Sequence, residues 1–234
     1  MTVSAIIVAA GIGSRMAGDM RKQYVLLGGL PLLSHTLAVF EKCPAVHNIF
    51  LVIPYEDFQF CREQVLAPLG PRKMVTLVSG GVERTNSVYN GLSAVKGRRN
   101  DIVVIHDGVR PFITGDRLTA CIDQAEVTGA CILGIPVVDT LKHRNPRGFI
   151  AQTLERETIW KAQTPQAFRY HLIMKAHETA IKEGYSATDD ASLVERLGID
   201  VKMIPGSSIN LKITTKDDLL LAEAINSLTI PKTG

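Results

Sequence analysis

Ala5-Ile6-Ile7-Val8-Ala9, running straight into Ala10-Gly11-Ile12-Gly13-Ser14-Arg15-Met16, decides how the rest of the chain reads. The first five residues are short, apolar and β-branched, the pattern of a strand buried on both faces. A glycine-bearing loop follows at once. The same grammar recurs downstream. Ile49-Phe50-Leu51-Val52-Ile53 is closed by Pro54, Met74-Val75-Thr76-Leu77-Val78 by Gly80-Gly81, and Ile102-Val103-Val104-Ile105 leads into His106-Asp107-Gly108. Helical spacing lies between these runs, at 32–41 after Pro31, at 56–66 and at 87–95. Strands alternating with helices predict an α/β fold, a mostly parallel twisted sheet with helices on both faces. Ligands of such sheets bind beyond the carboxyl ends of the strands, where this chain puts glycines and an aspartate.

The second half reads differently. A helix at 116–128 and a strand at 130–137 precede a predicted hairpin, with strands near 140–142 and 149–154 around the turn Asn145-Pro146-Arg147-Gly148. Such a hairpin either covers the sheet or projects as an arm, at about 138–158. Helices follow at 170–183 and 190–197, then a strand at 201–204. A last helix starts near Thr215, where Thr215 and Asp218 have capping-box spacing. With no linker visible, residues 1–234 read as one domain.

The first loop is not a dinucleotide fingerprint, because Met16 stands where a small third residue is needed. It is not a P-loop either, because Asp19 occupies the lysine position. Its glycines, Gly11 and Gly13, can still expose backbone N–H groups to phosphate oxygens. Arg15 can pair with phosphate in a fork, and Lys22 can act as a mobile point charge. The bland alternative is a surface turn with two solvated cations.

Composition narrows the partners. Of 234 residues, 26 are Lys or Arg and 23 are Asp or Glu; this balance of +3 and an aromatic content of 6% argue against nucleic acid or an anionic membrane as partner. No apolar run approaches the roughly 20 residues of a membrane span, and no basic leader precedes the first strand. Cys43, Cys61, Cys121 and Cys131 form no CxxC pair and no zinc spacing, so four reduced thiols in a cytoplasmic protein are expected.

Seven blocks in order resemble the cytidylyltransferases that act on polyol phosphates. They are Ala9 to Met16 with Lys22-Gln23-Tyr24; Gly80-Gly81-Val82-Glu83-Arg84-Thr85-Asn86-Ser87-Val88; His106-Asp107-Gly108-Val109-Arg110-Pro111; and Pro136-Val137-Val138-Asp139-Thr140-Leu141-Lys142. Gln163-Thr164-Pro165-Gln166-Ala167-Phe168, Thr188-Asp189-Asp190-Ala191-Ser192 and Asn210-Leu211-Lys212-Ile213-Thr214 complete the set. The resemblance implies a Rossmann-like nucleotidyltransferase fold and transfer of CMP from CTP to a polyol phosphate. The acceptor it favours is methylerythritol phosphate, in isoprenoid precursor synthesis. Ribitol 5-phosphate is the alternative acceptor, and a non-catalytic nucleotide-binding protein of the same fold is the alternative class.

By the same resemblance, Arg15, Lys22 and Lys212 are the catalytic cations. Ala10, Gly11, Gly13, Gly81, Ser87 and Asp107 bind CTP. Thr140, Arg156 and Thr164 meet the acceptor. Asp107 holds Mg²⁺ or another hard divalent cation, and the β-arm joins two subunits as a homodimer. No fused cyclase domain is expected after the last helix.

Bottom-up, Asp107 could equally be a turn-former before Gly108, Arg84 a solvated helix-start charge, and Thr164 a strand-end turn before proline. His106 is expected to pack rather than ligate, because Mg²⁺ prefers oxygen. Two departures from the family pattern stand out. Val82 replaces an acidic residue of some relatives. Arg21 replaces a proline, which predicts an added charge and a looser loop.

Overall fold

The computed structural model describes residues 1–11 and 21–229. Arg15 and Gly13 therefore lie outside the described residues.

The strands in chain order are β1 Val3–Val8, β2 Leu26–Leu27, β3 Leu30–Pro31, β4 Asn48–Ile53, β5 Met74–Ser79, β6 Ile102–Asp107, β7 Ala130–Pro136, β8 Lys142–Arg144, β9 Ile150–Thr153, β10 Trp160–Arg169 and β11 Lys202–Pro205. The helices are α1 Leu32–Lys42, α2 Phe58–Cys61, α3 Ala67–Leu69, α4 Arg84–Val95, α5 Gly115–Thr128, α6 Tyr170–Glu183, α7 Asp190–Arg196 and α8 Lys216–Thr229. Seven strands form one sheet in the order β11-β7-β10-β6-β1-β4-β5. β1, β4, β5 and β6 run parallel, as do β7 and β11, while β10 pairs antiparallel with both β6 and β7.

The alternation of β1 explains its unbroken apolar run. Ala5 and Ile7 face Leu33, Leu37 and Phe40 of α1 and Leu118 and Ile122 of α5. Ile6, between them, faces Val88 and Leu92 of α4 and Ile173 of α6. Both faces are dry, so both parities of the strand must be apolar. The approach on the α4 side is close: a Cβ on Gly91 would sit 2.7 Å from Ile6 Cγ2.

Several boundaries differ from expectation. α4 starts three residues early, because Glu83 and Asn86 form a reciprocal capping box ahead of Ser87. The 56–66 helix extends over 55–69 and passes through a π-helical turn at Arg62–Leu66, just before Pro68, which cannot donate to the regular ladder. The largest difference is β10. Thr164 is not the end of a strand but lies inside one, at a register shift between Gln163 and Gln166 that carries a cis Thr164–Pro165 bond. The expected caps at Thr215 and Asp218 are present. Asp218 N–H donates to Thr215 Oγ1 at 3.1 Å, and Thr215 N–H to Asp218 Oδ2 at 2.8 Å.

The hairpin stands off the sheet. β8 and β9 pair only with each other, every residue of both is exposed, and Gly148 closes the turn at φ 92°. None of the described helices is long and apolar enough to cross a membrane.

Candidate active site

The carboxyl ends of β1, β4, β5 and β6 open into one cavity of about 1120 Å³. Ala10 and Gly11 line it after β1, Tyr55 and Glu56 after β4, Gly80 to Arg84 after β5, and Asp107 at the end of β6. One wall is built by close backbone approach. A Cβ on Gly80 would sit 2.3 Å from Ala10 Cβ, and one on Gly81 2.4 Å from Asn86 Cβ, so neither position admits a side chain. Ser87 shapes that wall. Its hydroxyl accepts from Gly81 N–H at 3.0 Å and donates to the Glu83 carbonyl at 3.1 Å.

Asp107 forms the floor, and three cations meet on it. Lys212 Nζ is 2.9 Å from Oδ2, Arg110 Nε 3.6 Å from Oδ2, and Arg84 Nε 3.3 Å from Oδ1. Burial alone would raise its pKa, but Arg84, followed by Lys212 and Arg110, outweighs it and holds the carboxyl well below the usual carboxylate range. The Asp107 carbonyl does open a turn, accepting from Arg110 N–H at 3.1 Å, but its side chain is committed to the cations, and a solvated role for Arg84 fails. Lys212 reaches the floor because its segment is pinned. Asn210 Nδ2 donates to the Thr164 carbonyl at 2.8 Å, Ile213 N–H to the Val109 carbonyl at 3.0 Å, and Gln163 Nε2 to the Ser207 carbonyl at 2.8 Å.

Thr164 lies beneath this floor. Its hydroxyl accepts from Asp107 N–H at 3.2 Å and bonds His106 Nδ1 at 3.0 Å. His106 Nε2 lies 3.1 Å from the Arg110 carbonyl. A neutral ring with its proton on Nε2 satisfies both partners, and burial, above all, pushes the imidazole down to about 4. Thr164 is buried and committed, so its place is support of Asp107. Replacing Thr164 with Val would leave Asp107 N–H unpaired in the interior and should cost about 1–3 kcal/mol. Urea unfolding would measure this, and the accompanying change in acceptor KM should be small.

Lys22 lines the cavity opposite Gly80, with its Nζ 3.8 Å from where a Cβ on Gly11 would lie. The loop before Arg21, where the loosening is expected, lies outside the described residues, but Arg21 itself is anchored. Arg21 Nε lies 3.1 Å from Asp57 Oδ2 and Nη2 2.5 Å from Glu56 Oε1, while the ring of Tyr24 meets Phe60 edge-on at 4.8 Å. The lysine is thus held between two anchors on the 55–60 turn, and the extra charge is neutralised there.

Thr140 and Arg156 do not line the cavity. Both are exposed on the arm, and Arg156 Nη1 donates to the Val138 carbonyl at 2.6 Å. Asp190 and His177 carry no reading as site residues in the sequence, yet they back the floor through Arg84. The Thr188-Asp189-Asp190 block was the available signal for Asp190, and nothing local marked His177.

A parallel sheet whose carboxyl edge gathers backbone N–H groups, lysines, arginines and one buried carboxylate is the architecture of a nucleotidyltransferase. Residues 3–227 match the family model for 2-C-methyl-D-erythritol 4-phosphate cytidylyltransferase. The chain belongs to that family of enzymes. A relative of that name from Geobacter metallireducens is 48% identical over 99% of this chain and 100% of its own, and one from Syntrophus aciditrophicus is 49% identical over 95% and 94%. The crystal structure of 4-diphosphocytidyl-2C-methyl-D-erythritol synthase from Anaerococcus prevotii superposes with a TM-score of 0.85, at 31% identity over 97% of this chain and 96% of that one.

Proposed function

We propose that the protein transfers CMP from CTP to 2-C-methyl-D-erythritol 4-phosphate, releasing pyrophosphate and forming 4-diphosphocytidyl-2-C-methyl-D-erythritol for isoprenoid precursor synthesis. The observation that carries this reading is the meeting of the Ala10/Gly80/Gly81 wall with the Asp107–Lys212 floor in one cavity. A phosphate monoester is already an anionic nucleophile, so no Ser, Cys or His nucleophile is required. An acceptor phosphate oxygen forms a bond to the α-phosphorus. The bond from that phosphorus to the bridging oxygen breaks, and the electron pair leaves with pyrophosphate. The protein positions the two anions and offsets charge growing at the α-phosphorus.

Lys22 faces that charge from one wall and Lys212 from the floor, with Arg15 as the third cation by family resemblance. The narrow wall at Gly80 and Gly81 receives the cytidine. Mg²⁺ fits the donor set: Asp107 is a buried carboxylate lining the cavity, and Mg²⁺ ordinarily takes one or two carboxylates plus substrate phosphates. Asp107 would hold it, and the ion when bound supplies further neutralisation of the triphosphate.

The arm completes the acceptor pocket in a second subunit. Val138, Phe149 and Ile150 are each more than 60% exposed on it, an apolar surface suited to cover by a partner. Four buried free thiols accord with a reducing cytoplasm.

The test is pyrophosphate release from CTP with methylerythritol phosphate and, separately, ribitol 5-phosphate. Turnover with ribitol 5-phosphate alone would overturn the acceptor, and CTP binding without turnover would leave only a nucleotide-binding protein. Arg156→Gln should raise the acceptor KM by about 10-fold or more while moving the CTP KM little, as loss of a charged hydrogen bond predicts. Equal shifts in both would remove Arg156 from the acceptor site.

A further inference from the structure

Asp190 opens α7 and is 1% exposed. A charge buried this deeply costs several kcal/mol unless it is paired and hydrogen-bonded. Two elements hold it in place. His177 Nε2 of α6 lies 3.2 Å from its Oδ1 and is itself fully buried. The backbone N–H of Asp190 and that of Ala191 donate to Gln166 Oε1 of β10 at 3.1 and 3.0 Å. Gln166 is fixed in turn, donating from Nε2 to Asp189 Oδ2 at 2.8 Å.

The remaining oxygen of Asp190 meets Arg84, which lines the cavity. Oδ2 is 2.7 Å from Nη2 of Arg84, whose Nε lies 3.3 Å from Asp107. Arg84 therefore splits the two prongs of one edge, Nε and Nη2, between two buried carboxylates. An arginine with one acid partner tends to close on it as a two-pronged fork. Here Asp190 occupies one prong. Asp107 keeps its Oδ2 for Lys212 and Arg110.

We propose that Asp190, seated by His177 and Gln166, is a positioning residue of the nucleotide site, restraining Arg84 so that Asp107 and Lys212 stay in register on the cavity floor. This rests on the cytidylyl-transfer reading and goes beyond it, because Asp190 touches neither substrate. Burial would raise its pKa, but Arg84, helped by His177, holds it below its ordinary value, so the restraint is ionic.

The consequence separates positioning from mere support of the fold. Apart from His177, the cluster sets three cations, Arg84, Arg110 and Lys212, against two carboxylates, Asp107 and Asp190. Neutralising Asp190 makes the floor more cationic while misaligning it. Asp190→Asn should therefore lower turnover at saturating substrates by about 10–100-fold, in the range of a misplaced charge-stabilising group. CTP affinity by calorimetry should stay within about threefold or tighten, since the added positive charge attracts the triphosphate. In an Arg84→Ala background the same change should cost less than about twofold, because the two residues act as one unit.

Turnover within twofold of the wild type, parallel loss of CTP binding and turnover, or additive losses with Arg84→Ala would each overturn the proposal. If Asp190→Asn does not fold, His177→Phe, which removes one support and leaves both carboxylates, takes its place in the same cycle with the same outcomes. The wild-type assay is read first. No pyrophosphate release there overturns cytidylyl transfer itself, whereas wild-type turnover that the variants leave intact overturns only the role of Asp190.

Discussion

Replacing Asp107 with Asn should lower turnover by about 10³-fold or more, the loss expected when the central charge of a preorganised electrostatic site is removed. The carboxylate organises Lys212, Arg110 and Arg84 at distances of 2.9, 3.6 and 3.3 Å. An amide of the same shape keeps the volume but loses the charge that draws them together. It also removes a buried carboxylate suited to a hard divalent ion. The fold should lose on the order of 3 kcal/mol, the scale of breaking a buried ion pair, tempered here because Arg84 keeps Asp190 and Arg110 keeps the Asn210 carbonyl.

The pH dependence of that loss has a definite sign. The folded pKa of Asp107 is depressed, so its stabilisation is complete above the ordinary aspartate pKa of about 3.9 and disappears only as pH falls through the lower folded value. The stability gap between wild type and Asp107→Asn should be constant from about pH 5 to pH 8 and close only in stronger acid. Steady-state pyrophosphate release and urea midpoints measure both quantities. Turnover within tenfold of wild type would remove Asp107 from the centre of the mechanism.

Lys22→Ala should lower kcat by about 10²–10³-fold, with a much smaller change in the CTP KM, because charge at the α-phosphorus grows only as the transition state forms. Lys22 suits this part because it is held at its base. Arg21, just before it, and Tyr24, two residues after it, dock on residues 55–60, and the lysine lines the cavity alongside Gly11. A raised CTP KM with unchanged kcat would instead make Lys22 a ground-state phosphate contact.

The order of strands and helices in the first half could be read from local pattern because each signal is local. A strand buried on both faces writes an unbroken β-branched run, and the glycines that follow mark where a backbone must come close to something. Gly80 and Gly81 illustrate this, since the bodies they avoid are Ala10 and Asn86. Val82 is different. It is fully exposed at the cavity rim, and no packing signal accompanies it.

Arg84 was ambiguous for a physical reason. An arginine three residues before an expected helix reads as a solvated cap, and only the approach of Asp107, 23 residues on, and of α7 turns it into a bridge between buried acids. The anchoring of Arg21 is of the same kind. Exchange of a proline argues for a looser chain, but its guanidinium found two carboxylates on a turn that nothing in its own neighbourhood announces.

By itself the sequence determined the α/β alternation and the edge of the sheet at which the cavity lies, and it singled out Lys22, Asp107 and Lys212, which line that cavity together. The tertiary structure alone decided how they are held. β10 enters antiparallel between β6 and β7, so its beginning rather than its end lies at the active edge, and Thr164, 57 residues from Asp107, comes to rest beneath it. Side-chain periodicity reports which face of a strand is buried, whereas the partner and direction of a strand are settled by pairing between distant segments, which periodicity does not record.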